Sequence, residues 1–420
     1  MNLLFIHQNY PGQYRQLAPL LRSHGHNVLG LGASTRPELA DPFRLDYGWT
    51  DEPVADGLCD ATLEHHLRRA ARVAKRCQQL KDDGFQPDAV FFHSGWGEGL
   101  YLADVWPLAV LICYPELYAG PELLGYGFDA ELGSASAAAR QLLRRQNLMA
   151  LAAIADSDAV IVPTLFQRDT FPSHLRSRLH VIHEGIDSEH VKPHPRRQLQ
   201  LTPELLLRHG DPVITFVNRQ LEPLRGFRTL MRALPTVLGE HPTAQVVLVG
   251  GSGPGYGAAS SHAEGYPGEL LSQLGDGLDQ GRVHFVGQLP YDLLIGLLQV
   301  SAAHVYFTYP YALSWSLLEA MACGALIVGS DNAPVTEVIQ DGRNGCLVPF
   351  HDPDRLAACL LEVLREPERF APLAAAGRRT IETRYGLRDC ADQYLQLIGS
   401  LNMLRAPQQA RHPAPPAPLR

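Results

Sequence analysis

Lysine is almost missing from this chain: Lys75, Lys81 and Lys192 stand against thirty-three arginines in 420 residues. Any charged grip on a ligand is therefore expected to come from arginine, whose planar fork meets carboxylate or phosphate in bidentate fashion. Cysteine is scarce and scattered. The seven (Cys59, Cys77, Cys113, Cys323, Cys346, Cys359, Cys390) are odd in number and form no C-x-x-C pair, which argues against structural zinc or a disulfide framework and for small buried hydrophobes in a reducing cytoplasm. No stretch approaches the roughly 18 uninterrupted apolar residues of a membrane span. Met1 runs directly into strand-like residues 3–6 rather than a signal peptide. A cytoplasmic protein is expected, with at most peripheral contact at the inner face of a membrane. Positive charge is not in excess either: 36 basic against 44 acidic residues give a net charge of −8, so a sequence-independent grip on nucleic acid is not expected.

What is present is alternation, and 420 residues suit two domains of ordinary size. The first half reads strand 3–7, a glycine-containing loop 8–13, helix 14–24, strand 27–31, a long basic helix 61–81, strands 89–93 and 109–113, helix 136–155 and strand 159–162. The pattern restarts with strand 213–217, helix 227–241, strands 245–249 and 282–286, helix 291–299 and strand 304–307. Strands alternating with helices predict the α/β class, as two Rossmann-like doubly wound parallel sheets. Such halves bind ligands at the carboxyl ends of their strands, here in the cleft between them. The proline-rich, charged segment 185–197 is the natural linker, so the domains are expected at 1–190 and 191–385. Residues 378–405 read as helical around Gly386, and 406–420, rich in Pro, Ala and Gln, as a disordered tail.

Five segments carry candidate chemistry. Residues 310–349, PYALSWSLLEAMACGALIVGSDNAPVTEVIQDGRNGCLVP, read as turn, helix, buried strand, turn, helix and hairpin, with Gly324 ending the first helix. That helix would aim free N–H groups and a positive dipole end at the loop 309–314, a site suited to diphosphate. Glu319 in its first turn admits two roles: a capping box begun by Ser316, or a ligand contact. Asn218-Arg219-Gln-Leu-Glu222-Pro-Leu-Arg225-Gly226 follows a strand and opens a helix, where two arginines are either solvated charge or a phosphate clamp. Gly250 and Gly253 follow the next strand, in a run that is a tight turn or a phosphate cradle. Gln8–Gln13, with Tyr10 and Gly12, forms the first strand-to-helix turn, where glycine permits close backbone approach to a ligand. His93 ends another strand and is followed by Trp96 and Glu98, which would shape an acceptor side unless Trp96 is plain packing.

The phrases H-Q-N-Y-P-G-Q-Y (7–14), N-R-Q-L-E-P-L-R-G (218–226) and L-S-W-S-L-L-E-A-M-A-C-G (313–324) together resemble a bacterial branch of the retaining glycosyltransferases of family 4. The resemblance covers most of the chain and is most specific in the second half. It implies the GT-B fold, two Rossmann-like domains facing across a cleft, with a terminal helix (386–405) crossing back to the first. In that family a Glu-x7-Glu motif grips the donor. Glu319 matches the second Glu, which holds the ribose, and Glu337 a later one; Tyr311 stands where the first Glu is expected. Arg219 and Arg225 match the Arg and Lys that neutralise the leaving diphosphate, with Asn218 in place of a Gly. His93 matches a histidine that faces the donor sugar, and Glu184 replaces an Asn at the end of the first domain.

The resemblance thus implies Arg219, Arg225, Glu319 and His93 as catalytic. Gly12, Asn218, Gly250, Gly253, Val286, Tyr311, Ala312, Leu313, Ser314, Ser316 and Leu318 are implied as donor-binding, and Tyr10, Trp96 and Glu98 as acceptor-side. The backbone N–H groups of Leu313 and Ser314 are expected to hold sugar hydroxyls or phosphate. The implied activity is hexosyl transfer from a nucleoside diphosphate sugar, UDP favoured over GDP, to a hydroxyl of a sugar or glycolipid in bacterial surface polysaccharide synthesis. No metal and no resident cofactor are implied. Two other readings remain: a GT-B sugar-nucleotide epimerase, and a catalytically silent binding subunit, for which Tyr311 is the best argument.

Overall fold

The computed structural model describes residues 1–33, 41–50 and 61–411; Cys59 and residues 412–420 of the expected tail lie outside them. The chain divides into two compact units. One comprises Met1–Ala119, Gln141–Gly185 and Leu387–Arg420, the other Gly120–Arg140 and Ile186–Gly386.

The first unit is built on a seven-stranded parallel sheet of β1 (Asn2–Ile6), β2 (Asn27–Gly32), β3 (Arg44–Asp46), β4 (Ala89–His93), β5 (Val110–Tyr114), β6 (Ala159–Val162) and β7 (Leu179–Val181), in the order β3-β2-β1-β4-β5-β6-β7. In β1, Leu4 and Ile6 enter one apolar cluster while Leu3 and Phe5 enter another on the opposite face. An uninterrupted apolar run is what burial on both faces requires. The helix Leu387–Arg411 joins this unit by laying Ala391, Tyr394 and Ile398 into the Leu3–Phe5 cluster. Arg405 then clamps Asp158, Nη2 to Oδ2 at 2.6 Å. The break at Tyr385–Gly386 separates this helix from Pro367–Arg384, and it runs to Arg411, into the segment expected to be disordered.

The second unit contains an antiparallel hairpin, β8 (Gln198–Thr202) and β9 (Leu205–Arg208). Its main sheet contains β10 (Val213–Gln220), β11 (Gln245–Gly251), β12 (Val283–Phe285), β13 (Ala303–Tyr306), β14 (Leu326–Ser330) and β15 (Cys346–Val348), in the order β12-β11-β10-β13-β14-β15, all parallel. Both sheets reverse their winding direction once, between β1 and β4 and between β10 and β13. Such reversals open a crevice at the carboxyl ends of the strands, where ligands of doubly wound folds bind.

One segment departs from the expected division. Residues 120–140 belong to the second unit, not the first, because their side chains find their partners there. Phe128 packs against Tyr309, Phe350 and His351 with ring centroids 5.3, 5.2 and 5.0 Å apart, and Arg228 pairs with Asp129 (3.2 Å) and Glu131 (3.1 Å). A cavity of about 340 Å³ is lined by Phe128, Asp129 and Glu131 of the segment together with Arg228, Phe350 and His351. No helix among the described residues is long and apolar enough to cross a membrane.

His304 on β13 gives the fold a pH dependence. It is fully buried, with Nδ1 2.9 Å from Thr215 Oγ1, and burial lowers its pKa to about 3. An unfolded histidine titrates near 6.5, so below that pH the unfolded chain binds a proton the folded one does not. Stability present above pH ~6.5 is therefore lost as pH falls toward 3, with a limiting slope of about 1.4 kcal/mol per pH unit. Other buried histidines such as His7 add to the slope, so urea unfolding between pH 7.5 and 4.5 is expected to show at least this dependence, and His304→Gln to reduce it by up to that amount.

Candidate functional site

In the second unit the expected donor residues gather at the carboxyl ends of four neighbouring strands. Asn218 and Arg219 lie in the last residues of β10, and the turn Pro223–Arg225 follows. Gly226 then adopts φ 75°, and any Cβ there would lie 2.2 Å from Phe307 Cβ, so glycine is required for the helix Phe227–Glu240 to start where it does. The turn carries Arg225 inward to 8% exposure. Its Nη1 donates to Thr308 Oγ1 (2.9 Å) and to the Ala312 carbonyl (2.8 Å), and its guanidinium lies 5.4 Å from the Tyr311 ring centre. The hydrogen-bond partners of its side chain among the described residues are all neutral, the third being Tyr306 Oη at 3.5 Å. A buried cation held only by neutral groups favours an incoming anion. Arg219 is exposed, 5.9 Å from the ring centre of Tyr256, and Tyr256 and Tyr311 lie 5.2 Å apart. The two arginines thus flank a tyrosine pair.

The loop 309–314 is pinned at both ends. Tyr309 N–H donates to the Leu224 carbonyl at 2.7 Å, and Ser314 N–H to Tyr306 Oη at 2.7 Å. Ser314 N–H is therefore spent inside the fold, which corrects the expectation that it holds the ligand. The amides of Ala312 and Leu313 donate no hydrogen bond among the described residues. The helix Trp315–Ala322 is capped by Ser314, whose Oγ accepts from Ser316 N–H at 3.3 Å. Ser316 is not the cap and not a free ligand group: its own Oγ donates to the Val217 carbonyl at 3.2 Å. With Ser314 as cap, Glu319 is the fifth helical residue, so the capping-box spacing fails. Its buried carboxylate accepts instead from Tyr291 Oη at 2.9 Å. Leu318 is wholly in the core and has only backbone to offer.

Gly250 lies near the end of β11, where its N–H donates to the Gly287 carbonyl (2.9 Å), and Gly253 lies on the turn that follows, its N–H donating to Gln220 Oε1 (3.1 Å). Val286 continues β12 by donating to the Leu248 carbonyl at 3.1 Å. Two residues here were not among the expected site residues, although Glu222 lies inside the 218–226 phrase. Glu222, 3% exposed, accepts from Tyr256 N–H (3.2 Å) and Gly257 N–H (2.9 Å) and so holds the glycine-rich loop in place. Tyr256 is thereby brought to Tyr311.

In the first unit the reversal between β1 and β4 brings His7 and His93 together, ring centroids 5.2 Å apart. The rule that selected His93, a histidine at a strand's carboxyl end, would have found His7 as well. His93 Nδ1 accepts from Gly95 N–H at 3.0 Å, which leaves the proton on Nε2, 3.5 Å from Glu116 Oε2. Trp96 stacks on the His93 ring at 4.1 Å. Burial, and then His93, hold the His7 pKa well below its usual value. Gly12 has φ 48°, and a Cβ there would meet His7 Nδ1 at 2.7 Å. Two expected acceptor-side groups are instead interior. Tyr10 is fully buried, donating to Asp41 Oδ2 (3.0 Å) and accepting from Arg22 (3.2 Å). Glu98, 1% exposed, accepts from Tyr47 Oη (3.3 Å) and lies 3.9 Å from Arg69; burial raises its pKa. Glu184 is likewise buried, taking the Tyr114 hydroxyl.

Residues 24–191 match the model of the glycosyl transferase family 4 group, and residues 211–366 that of the glycosyl transferases group 1. The chain has the GT-B fold, with a glycosyl transferase family model matching in each half. Among curated proteins this chain is similar to D-inositol 3-phosphate glycosyltransferase of Rhodococcus jostii, 28% identical over 58% of the chain and 52% of the relative. It is also similar to phosphatidyl-myo-inositol mannosyltransferase of Mycolicibacterium smegmatis, 32% identical over 41% of each. The match thus spans about half the length of these curated relatives. In fold it is similar to sucrose-phosphate synthase of Thermosynechococcus elongatus, with TM-score 0.72, 18% identity and 96% and 100% of the two chains covered. Anabaena HepE, solved with UDP and glucose, gives TM-score 0.67, 17% identity, and 95% and 100% coverage.

Proposed function

We propose that the protein transfers a sugar from a nucleoside diphosphate sugar to an acceptor hydroxyl with retention of anomeric configuration. The observation that carries this reading is Arg225, a buried cation with neutral partners, beside the exposed Arg219 and the two undonated amides of Ala312 and Leu313. As the bond between the sugar and the diphosphate breaks, negative charge grows on the departing phosphate. The arginines, those amides and the N-terminus of the helix Trp315–Ala322 supply a fixed positive field for it. In this reading the field does the work a metal ion would otherwise do. Glu319, steadied by Tyr291, accepts the ribose hydroxyls. The acceptor oxygen attacks on the face the phosphate leaves, and the phosphate oxygen takes its proton. UDP is the first choice of nucleotide, supported by HepE's complex with UDP and glucose, and GDP the second. The inositol-linked names among the relatives support a polyol or glycolipid acceptor, of the kind used in surface polysaccharide or glycolipid synthesis at the cytoplasmic side of a membrane.

A thermal-shift screen of nucleoside diphosphates and their sugars tests the reading. A ligand at 100 times its Kd adds about 2.7 kcal/mol of stability. UDP is expected to raise the unfolding temperature, and a flat response to every nucleoside diphosphate would refute the proposal. Turnover across an acceptor panel then separates a transferase from a silent binding subunit, and interconversion of the donor without acceptor would reveal an epimerase.

A further inference from the structure

The chain leaves β5 through Pro115-Glu116-Leu117, beside the strand that ends in His93. Glu116 is the one non-glycine residue with positive φ (61°) among the described residues. Leu117 N–H folds back to the Pro115 carbonyl at 2.7 Å, closing a three-residue turn that strains any residue bearing a side chain. The turn is held from outside. Gln167, 1% exposed and itself fixed by Thr164, donates its side-chain amide to the Glu116 carbonyl at 3.1 Å. The strained backbone wins no ion pair with arginine or lysine among the described residues. It sets a 41%-exposed carboxylate 3.5 Å from His93 Nε2, at the sheet end where doubly wound folds take ligands. Glycine would relax the turn, so the side chain is what the strain maintains. Glu98, the carboxylate first expected here, is sealed inside.

We infer that Glu116 is the acceptor-binding carboxylate of the first unit, accepting hydrogen bonds from two adjacent hydroxyls of a sugar or cyclitol beside His93 and the half-buried Trp96. Two oxygens in one plane match a vicinal diol, and the indole supplies an apolar surface for the C–H face of the ring. The hydroxyls held are those that do not react; the attacking one gives its proton to the departing phosphate. The inference rests on the glycosyl-transfer reading and names the acceptor class for it.

The test uses the full chain as wild type, Glu116→Gln and Glu116→Gly, with methyl α-D-glucopyranoside, methyl α-D-mannopyranoside and myo-inositol as probes in saturation-transfer NMR titrations. The wild type is expected to bind at least one probe and both variants to bind it at least ~10-fold more weakly, the scale of losing a charge-assisted hydrogen bond. Glu116→Gly is expected to unfold at or above the wild-type temperature, because its turn is no longer strained. Unchanged probe affinity in the variants, or no probe bound by the wild type, overturns the inference. So does weakened binding in which both variants also unfold several degrees lower, since that marks a structural role. The shift produced by UDP or GDP is read on the same samples: its absence in the wild type would refute the glycosyl-transfer reading, whereas its presence with unchanged probe binding refutes Glu116 alone.

Discussion

Arg219→Ala is expected to lower turnover by about 100-fold or more while unfolding within about 1–2 °C of the wild type. The side chain is exposed and makes neither an ion pair nor a hydrogen bond among the described residues, its ring contact with Tyr256 being 5.9 Å long. Nothing in the fold depends on it. A charge aimed at a leaving diphosphate is different, because it acts where charge grows, and a 100-fold loss corresponds to about 2.7 kcal/mol of transition-state stabilisation. Arg225→Ala is the informative contrast. That residue braces Thr308 and the Ala312 carbonyl from a buried position, so its removal should cost stability as well as rate. Arg225→Lys keeps the charge without the fork and should fall between. The measurements are kcat/KM with the best nucleotide sugar from the ligand screen and thermal unfolding of each variant. Wild-type turnover in Arg219→Ala would remove the exposed half of the proposed clamp.

The central strands of both sheets were legible because two-sided burial leaves largely apolar runs, as in Leu3–Ile6 and Val213–Val217, whereas the three-residue strands β3, β7 and β15 are too short to leave such a run. The positions of the arginines and of the loop after β13 followed from the same rule, since doubly wound sheets place their loops at one end. What was not legible depended on partners far along the chain. Tyr10 and Glu98 sit in loops that read as open, yet Arg22 and Asp41 enclose the one, and Tyr47 and Arg69 the other. Ser314 and Ser316 are chemically equivalent caps. The choice between them was made by the Val217 carbonyl, ninety-nine residues away, which occupies the Ser316 hydroxyl. Glu116 carries no local mark at all, because a strained φ at a non-glycine residue is imposed by tertiary contacts such as Gln167.

The segment 120–140 is the extreme case of such distant pairing, and it carries the largest expected loss of stability. Asp129, 5% exposed, accepts the Tyr309 hydroxyl and pairs with Arg228 at 3.2 Å. Asp129→Ala would leave both groups enclosed without that partner, and breaking a buried pair costs about 3–5 kcal/mol. Arg228 keeps the half-exposed Glu131 at 3.1 Å, which places the expected loss near the lower end, about 3 kcal/mol. Asp129→Asn retains the shape and an acceptor for the Tyr309 hydroxyl and should lose about half as much. The effect should also reach the proposed donor site. Tyr309 begins the loop 309–314, and its N–H fixes the Leu224 carbonyl next to Arg225. When Asp129 no longer holds the ring, that loop loses its anchor, and nucleotide affinity is expected to fall by roughly 10-fold, about 1.4 kcal/mol. Urea unfolding of Asp129→Ala, Asp129→Asn and Tyr309→Phe, with nucleotide titration of the same proteins, reads both effects. Stability of Asp129→Ala within about 1 kcal/mol of the wild type would show that the aromatic packing of Phe128 alone holds the segment down.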